Sequence, residues 1–210
     1  MDNSVLKQFL QSRASHRKFI PEEVNIEDIR LIIDSSRFAP SGHNHQPWKF
    51  IVIQRKDVIA ELSEIVKKRV DEVIKMLPEN FTNEMMKYRF FIEHFESAPC
   101  VILVAIKKEE YITSKIKKSY KTVLVDAQHF DMELIGAGAV IQNLLLSALT
   151  LGYATCWMTE PVVYAQKEIE VFINLESDYH FVSLIALGKP VKQRECLPKK
   201  EVNELLSIIC

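Results

Sequence analysis

Apolar residues recur along this chain at two spacings, one typical of amphipathic helices and the other typical of β-strands. The helical spacing predicts helices over residues 5–13, 26–39, 57–76, 83–96, 127–150 and 165–172. Runs that are rich in aromatic and β-branched residues predict strands over residues 48–54, 100–106, 154–158 and 181–188. Because these elements follow one another without a regular βαβ alternation, the pattern favours an α+β fold.

Residues at the ends of these elements support the predicted boundaries. Ser4 and Asn25 are the predicted N-caps of the first two helices, with Asp28 as the acidic partner in a capping box at Asn25. Pro40 is predicted to stop the second helix, because a residue that precedes proline avoids the α region. Gly152 is predicted to end the long helix.

The chain contains no internal repeat, low-complexity tract or interdomain linker, so residues 1–210 are predicted to form one domain. The apolar run CVILVAI (100–106) predicts a central strand that is buried on both faces. Residues 107–125 are rich in charge and predict a surface excursion. The uncharged stretch 134–159 contains several polar residues, which favours a helix in the core or in a subunit interface over a membrane span.

Composition narrows the classes of function. Apolar residues make up 48% of the chain, which excludes a disordered protein. Lys and Arg number 27 and Asp and Glu number 28, and this balance gives no support for a nucleic-acid binder. The four cysteines form no C-x-x-C pair and are predicted to be reduced thiols, with Cys100 and Cys156 buried. The N-terminus is too polar for a signal peptide, so a cytoplasmic location is expected.

The segment RASHRKF (13–19) is a candidate phosphate site. It places Arg13 and Arg17 close in sequence to the hydroxyl group of Ser15. Guanidinium groups match the oxygens of a dianionic phosphate in pairs, so this combination suits a phosphate. A basic surface corner is the alternative interpretation.

The segment GKPVKQR (188–194) follows the last predicted strand and adds positive charge. Lys192 and Arg194 alternate, so both would face the same side of an extended tail. There they would close a phosphate site that Arg13 and Arg17 open. A solvated basic tail is the alternative interpretation.

The loop APSGHNHQPW (39–48) is a candidate site for a planar polar ring. Ser41, Asn44 and Gln46 supply neutral donors and acceptors, which suit a uracil-like edge of alternating N–H and C=O groups. An ordinary helix-to-strand loop that is anchored by Trp48 is the alternative. The two histidines of the loop have no third ligand nearby, so no metal site is predicted.

The segment GYATCWMTEP (152–161) ends a predicted strand in polar backbone that could approach a cofactor. Neither the Rossmann G-x-G-x-x-G fingerprint after a strand nor a Walker A motif occurs, and the G-x-S-x-G elbow of serine hydrolases is also absent. Cys100 and Cys156 lie in apolar strands without a local base, so a thiol nucleophile is not predicted.

Together, four segments resemble the flavin-dependent nitroreductase family. RASHRKF is similar to the opening R-x-S-x-R/K-x-F motif of the family, and APSGHNHQPWKFIVI resembles its A-P-S-x-x-N-x-Q-P-W-x-F signature. AVIQNLLLSALTLGYATCW resembles its buried helix and following strand, and LIALGKP resembles its last core strand. The segments occur in the order of the family from about residue 10 to the tail, and the resemblance is weakest over residues 55–130.

The resemblance implies an α+β fold whose mixed central sheet is flanked by helices, in an intertwined homodimer with FMN at the subunit interface. It implies no metal and no catalytic side chain, because the chemistry belongs to N5 of the flavin. The cofactor-binding residues that it implies are Arg13, Ala14, Ser15, Arg17, Pro40, Ser41, Asn44, Gln46, Trp157, Met158, Thr159, Lys192 and Arg194. Of these, Asn44 and Gln46 would arrive from the partner subunit.

The implied reaction is a ping-pong transfer of two electrons. NADH or NADPH would give a hydride to the flavin, and a small electron-poor acceptor such as a nitroaromatic or a quinone would take it. A dehalogenase-like or flavin-destroying enzyme of the same superfamily and a non-catalytic FMN-binding redox sensor are the alternatives. Glu160 departs from the family, since many members have glycine there, and the choice among Lys189, Lys192 and Arg194 for the phosphate stays open.

Overall fold

One sheet positions the other elements of the chain. The structure, a computed structural model, describes residues 2–107 and 132–209. The strands among these residues are β1 (Trp48–Ile53), β2 (Cys100–Lys107), β3 (Ala154–Met158) and β4 (Tyr179–Gly188). They form an antiparallel four-stranded sheet in the order β1-β2-β4-β3. Parallel pairing within the described residues is limited to an isolated bridge between Ser15 and Thr155.

The first six helices lie near their predicted positions, and a seventh, short helix lies in the tail, where none was predicted. They are α1 (Asn3–Ser12), α2 (Ile26–Ser36), α3 (Lys56–Met76), α4 (Glu79–Glu93), α5 (Met132–Thr150), α6 (Glu160–Phe172) and α7 (Val202–Leu205). Short 3-10 helices occupy Gly42–Asn44 and His94–Ser97. Helix α6 begins five residues before its predicted start, because Pro161 sits in its first turn, where proline is favoured.

One predicted helix cap and one predicted capping-box partner were wrong. Asp2, not Ser4, caps α1, since the Asp2 side chain accepts a hydrogen bond from the backbone N–H of Ser4. Asn25 does cap α2, but Asp28 does not complete a capping box there. The carboxylate of Asp28 instead accepts a 2.7 Å hydrogen bond from the hydroxyl group of Tyr153, which lies far away in the sequence.

The sheet is covered on both faces, and β2 lies at its centre as predicted. Side chains of β2 alternate, so that Val101 and Leu103 enter one apolar cluster whereas Ile102 and Val104 enter the other. The first cluster is shared with α3, α4 and α6, and the second is shared with α2 and α5. The α+β fold is therefore confirmed, with helices on both faces of the sheet.

Helix α5 carries the longest uncharged stretch and packs closely on the sheet. By length and composition its window Glu133–Thr150 could cross a membrane, but 39% of that window is buried against the rest of the chain. Gly152 then takes a φ of +78° and ends the helix as predicted. The predicted surface excursion over 107–125 lies, after Lys107, outside the described residues, as do residues 127–131 of the predicted helix.

Candidate functional site

The N-terminal motif lies along the free edge of the sheet. After α1, Ser15 forms a parallel bridge with Thr155 of β3, and the N–H of His16 donates a 2.9 Å hydrogen bond to the carbonyl of Thr155. This pairing extends the sheet beyond β3 and fixes the backbone from which Arg13 and Arg17 project. The position of the motif is therefore set by main-chain hydrogen bonds.

The C-terminal tail crosses the same motif. The N–H of Ile20 donates a 2.8 Å hydrogen bond to the carbonyl of Lys189, and Phe19 bridges Pro190. The crossing requires Gly188, because a Cβ there would lie 2.6 Å from the ring of Pro99. The structure thus brings the two ends of the chain together.

The convergence gathers cationic side chains around two adjoining cavities. We call Arg13, Ser15, Arg17, Lys192 and Arg194 the cationic cage. A cavity of about 760 Å³ is lined by Arg17, Lys192 and Arg194, and a neighbouring cavity of about 230 Å³ is lined by Arg13, Ser15, Arg17 and Arg194. The guanidinium of Arg194 also lies 3.4 Å from the carbonyl oxygen of Ser15, to which it donates. Arg17 and Arg194 line both cavities, so the two form one site.

Lys189 is not part of this site. Its ammonium group forms an ion pair with the carboxylate of Glu22, which raises the pKa of the lysine. Lys189 lines neither of the two cavities that the cage lines. Of the basic residues in the tail, the structure therefore associates Lys192 and Arg194 with the candidate phosphate site.

Aromatic side chains from α4 form a wall of the larger cavity. Phe90 and Phe91 line it, with 52% and 40% of their surfaces exposed, and the guanidinium of Arg17 lies 5.1 Å from the ring centre of Phe91. No sequence-based prediction included this wall. The two adjacent phenylalanines at one end of an amphipathic helix were the available signal, and that signal is equally typical of core packing.

The polar atoms nearest the cage are not all paired. Among the described residues, the Nε atom of Arg17 and the Nε2 atom of His16 are buried without a hydrogen-bond partner. Burial lowers the pKa of His16, and the charges of Arg194 and Arg13 lower it further, against the effect of a hydrogen bond to the carbonyl of Ala14. A buried cationic donor without a partner is what a site for an anionic ligand requires.

The pKa values of two buried cysteines, Cys100 and Cys156, are raised. Burial raises the pKa of Cys100 to about 12, and burial also raises the pKa of Cys156 behind the cage. Both thiols are at most 3% exposed, as predicted. A thiol whose pKa is raised is mostly protonated and is therefore a weak nucleophile.

The amide loop, by which we mean residues 40–46, lies away from the cage. It precedes β1, whereas the cage lies beside β3 at the other edge of the sheet, roughly 14 Å away for three strand spacings of about 4.8 Å. The hydroxyl group of Ser41 accepts a 3.0 Å hydrogen bond from the N–H of Gln46, whose side chain contacts Asn44. Pro40, Ser41, Asn44 and Gln46 line neither cage cavity.

The residues at the end of β3 differ in exposure, and none of Trp157, Met158 and Thr159 lines a cage cavity. The side chain of Met158 is buried in the core, and its carbonyl accepts a 3.1 Å hydrogen bond from Ser183. Trp157 is 40% exposed and lies beside Gly138 of α5. Thr159 is exposed and precedes α6.

Glu160, where the sequence departs from the family pattern, forms a link between helices. One carboxylate oxygen accepts a 2.9 Å hydrogen bond from the hydroxyl group of Tyr88 on α4, and the other accepts a 3.1 Å bond from the N–H of Thr159. The hydrogen bond and the negative charge of Glu160 raise the pKa of Tyr88. This contact holds the aromatic helix against the end of β3.

The chain is similar in sequence and in fold to known proteins. Residues 10–189 match the model of the Nitroreductase family. A BluB-like flavoprotein from Clostridium difficile 630 has a similar structure, with a TM-score of 0.87, 28% identity and 100% coverage of both chains. A Bacillus subtilis (strain 168) protein with the provisional name NAD(P)H nitroreductase YfhC is 22% identical over 206 residues, which cover 96% of this chain and 93% of that protein.

A further solved structure is that of an oxidized iodotyrosine deiodinase bound to FMN and 3-iodo-L-tyrosine. It has a TM-score of 0.71 and 19% identity, and the match covers 93% of this chain and 95% of the deiodinase chain. At this level of identity the likeness concerns the fold alone. The described residues contain no group of three or more histidine, cysteine or carboxylate side chains that could hold a metal ion.

Proposed function

Because this chain belongs to the nitroreductase family, we propose that it is an FMN-dependent oxidoreductase that uses NADH or NADPH as its reductant. The observation that carries the proposal is the convergence of Arg13, Arg17 and Arg194 on adjoining cavities beside β3. Three guanidinium groups from the two ends of one chain offer paired donors to a single dianion. The phosphate of FMN is such a dianion.

The residues of the cage fit the cofactor in charge, cavity volume and unused hydrogen-bonding capacity. The larger cavity, of about 760 Å³, lies within the range of small-molecule sites. The buried Nε donor of Arg17 has no protein partner in the described residues, which suits a ligand oxygen. When bound, FMN would supply the hydride chemistry at its N5 atom between the nicotinamide and the acceptor.

The side chains of this chain would bind and orient the cofactor. Arg13, Ser15, Arg17, Lys192 and Arg194 would hold the phosphate and ribityl portion, and positive charge from the cage would favour an electron-rich bound ring. At the end of β3, Trp157 and Thr159 are proposed to contact the cofactor. The carboxylate of Glu160 would keep its hydrogen bond to Tyr88. The buried side chain of Met158 leaves only its backbone for such a contact.

We propose that the amide loop completes the site of a second copy of this chain. Its neutral groups suit the edge of a flavin ring, but it lies at the opposite edge of the sheet from the cage of its own chain. Exposed apolar residues on α5 and on the tail, such as Leu134, Ile135 and Ile208, offer surface for an intertwined dimer. A homodimer therefore explains both the separated loop and the exposed apolar surface.

The acceptor is a small, conjugated, electron-poor molecule, and two classes are proposed. Nitroaromatics and quinones are the first, on the strength of family membership and of the relative named as a nitroreductase. Reductive dehalogenation of a haloaromatic is the second, and the similarity of the fold to the deiodinase favours testing it. The aromatic wall of Phe90 and Phe91 suits a planar acceptor in either case.

The first experiment asks whether the protein is a flavoprotein at all. We expect the purified protein to be yellow and to release FMN when it is heated. Anaerobic addition of NADH or NADPH should bleach the visible flavin band, and a nitroaromatic, a quinone or 3-iodotyrosine should restore it at different rates. A colourless protein that takes up no added FMN would remove the proposal, and a bound flavin that neither nucleotide reduces would favour a binding protein.

A further inference from the structure

We infer that Glu160 is a specificity-determining residue of the candidate site, whose fixed negative charge selects cationic and neutral electron acceptors over anionic ones. The inference rests on the proposed function, since it concerns the acceptor of an FMN-dependent reaction. It deepens that function, because membership of the family does not fix the charge of the acceptor.

The carboxylate of Glu160 is held in place from two sides. One oxygen accepts a 2.9 Å hydrogen bond from the hydroxyl group of Tyr88, and the other accepts a 3.1 Å hydrogen bond from the backbone N–H of Thr159. The donors belong to different parts of the fold, one to α4 and the other to the residue that follows β3. A charge that is fixed in this way acts on a ligand without first having to reorient.

The negative charge of Glu160 is not neutralised within the part of the chain that the structure describes. Its two hydrogen-bond donors, a hydroxyl group and a backbone amide, are both uncharged. By contrast, the carboxylates of Glu93 and Glu96, at and just after the end of α4, are each paired with a basic side chain. Glu160 is also partly buried, so water screens its charge less than it screens a fully exposed one.

The aromatic wall of the larger cavity continues to this charge. Tyr88 and Phe91 are three residues apart on α4, so they share one face of the helix. Their ring centres lie 5.6 Å apart with the planes inclined by 34°, and both rings are exposed. At one end of this surface the guanidinium of Arg17 lies 5.1 Å from the ring centre of Phe91, and at the other end Tyr88 donates to Glu160. Opposite charges therefore flank one exposed aromatic surface.

In the loaded protein only the negative end of this surface would remain uncompensated. Arg17 is a proposed ligand of the FMN phosphate, which would balance its charge. Glu160 directly follows Thr159, a proposed contact of the cofactor, so an acceptor that packs on the aromatic wall would lie within the field of the carboxylate. This field attracts an ammonium or amidinium substituent and repels a carboxylate or sulfonate. The inferred acceptors are therefore electron-poor aromatic molecules whose substituents are cationic or neutral.

The test compares acceptors of similar size and different charge: para-nitrobenzylamine, para-nitrobenzyl alcohol and para-nitrobenzoate at neutral pH. In kcat/KM the wild type should prefer the amine to the benzoate by about tenfold, with the alcohol between them. Glu160→Gln keeps the size and an oxygen acceptor but removes the charge, so the preference should fall to near unity. Glu168→Gln is the matched control, because Glu168 lies on the same helix and pairs with Arg69. That control should keep the preference of the wild type, and an unchanged preference in Glu160→Gln would overturn the inference.

A second measurement needs no turnover. The dissociation constants of benzylammonium and benzoate, which the reduced flavin cannot reduce, are measured on the oxidised flavoprotein by the change in flavin absorption. The wild type should bind the cation more tightly than the anion, and Glu160→Asp, which keeps the charge, should retain this order. Tyr88→Phe frees one carboxylate oxygen and should reduce the difference less than Glu160→Gln does. Loss of the order in Glu160→Asp as complete as in Glu160→Gln would show that charge is not the cause.

Flavin content and reduction by NADH or NADPH separate this inference from the proposed function. A protein that binds FMN and is reduced, but whose acceptor preference does not respond to Glu160→Gln, would refute the role of Glu160 alone. A protein that takes up no FMN would refute the proposed function and this inference with it.

Discussion

The cationic cage is assembled within one chain, whereas the amide loop lies at the other edge of the sheet. Within the loop, the N–H of Gln46 donates a hydrogen bond to the hydroxyl group of Ser41. The cage is built where main-chain pairing brings the N-terminal motif to β3 and where the tail then crosses it. The difference is the basis of our proposal that one copy of the chain supplies the charges of a site and that a second copy supplies its neutral groups.

The largest effect should come from the cage. Arg13→Ala with Arg17→Ala removes two charge-assisted contacts, each of which contributes about 1.5–3 kcal/mol, so FMN affinity should fall at least about 100-fold. Fluorescence titration measures the affinity, and circular dichroism checks that the variant is folded. Lys189→Ala is the matched control and should bind FMN like the wild type, because this lysine pairs with Glu22. Wild-type affinity in the double variant would place the phosphate elsewhere.

The loop should give a smaller loss with a distinctive signature. Asn44→Ala with Gln46→Ala removes neutral hydrogen bonds, and we expect FMN affinity to fall by about tenfold. Mixed dimers of this variant with Arg13→Ala and Arg17→Ala should regain one intact site for each dimer, because an unaltered cage then meets an unaltered loop from the partner. Flavin content of the purified heterodimer measures this recovery. No recovery would mean that cage and loop act within the same chain.

Acid should weaken the cage end of the molecule in particular. Because burial lowers the folded pKa of His16 below its ordinary value of 6.5, its contribution to stability is complete above pH 6.5 and is lost as the pH falls through the folded pKa. The loss is about 1.4 kcal/mol for each unit by which the pKa is lowered. Urea unfolding midpoints at several pH values should fall less steeply in His16→Asn than in the wild type. Equal slopes in the two proteins would contradict the prediction.

The smallest effect concerns thiol chemistry. In the native protein a maleimide should label Cys196, which is partly exposed, and should leave Cys100 and Cys156 unmodified. Peptide mass spectrometry identifies the labelled sites, and denatured protein serves as the control in which all of them react. Rapid labelling of Cys156 in the native state would show that the core around β3 opens to solvent.

The sequence predicted the cage better than it predicted the surroundings of the cage. Guanidinium spacing in the N-terminal motif and the alternation of Lys192 and Arg194 in the tail were sufficient to propose that the two ends meet, and the structure confirms the meeting through Arg194 and Ser15. The same reasoning could not choose among the lysines of the tail. That choice depends on Glu22, which is far from Lys189 in sequence but forms an ion pair with it.

The error at the capping box of Asn25 has the same origin. Asp28 matched the capping-box spacing, yet its carboxylate binds the hydroxyl group of Tyr153, which only folding brings near. Phe91 likewise forms part of a helical pattern in the sequence, and only folding brings its ring to Arg17 of the cage. Local spacing reports which residues share a face of an element, but not which distant residue that face meets.

By itself, the sequence determined the order and type of the elements, the buried central strand and the chemical character of each candidate segment, because these follow from periodicity and from residue type. Only the tertiary structure decided that the cage closes within one chain, that the amide loop lies at the far edge, and that an aromatic helix lines the cavity. The physical reason is that charge and hydrogen-bonding capacity are properties of single residues. Distance and burial, which decide what those groups can bind, arise from contacts between residues far apart along the chain.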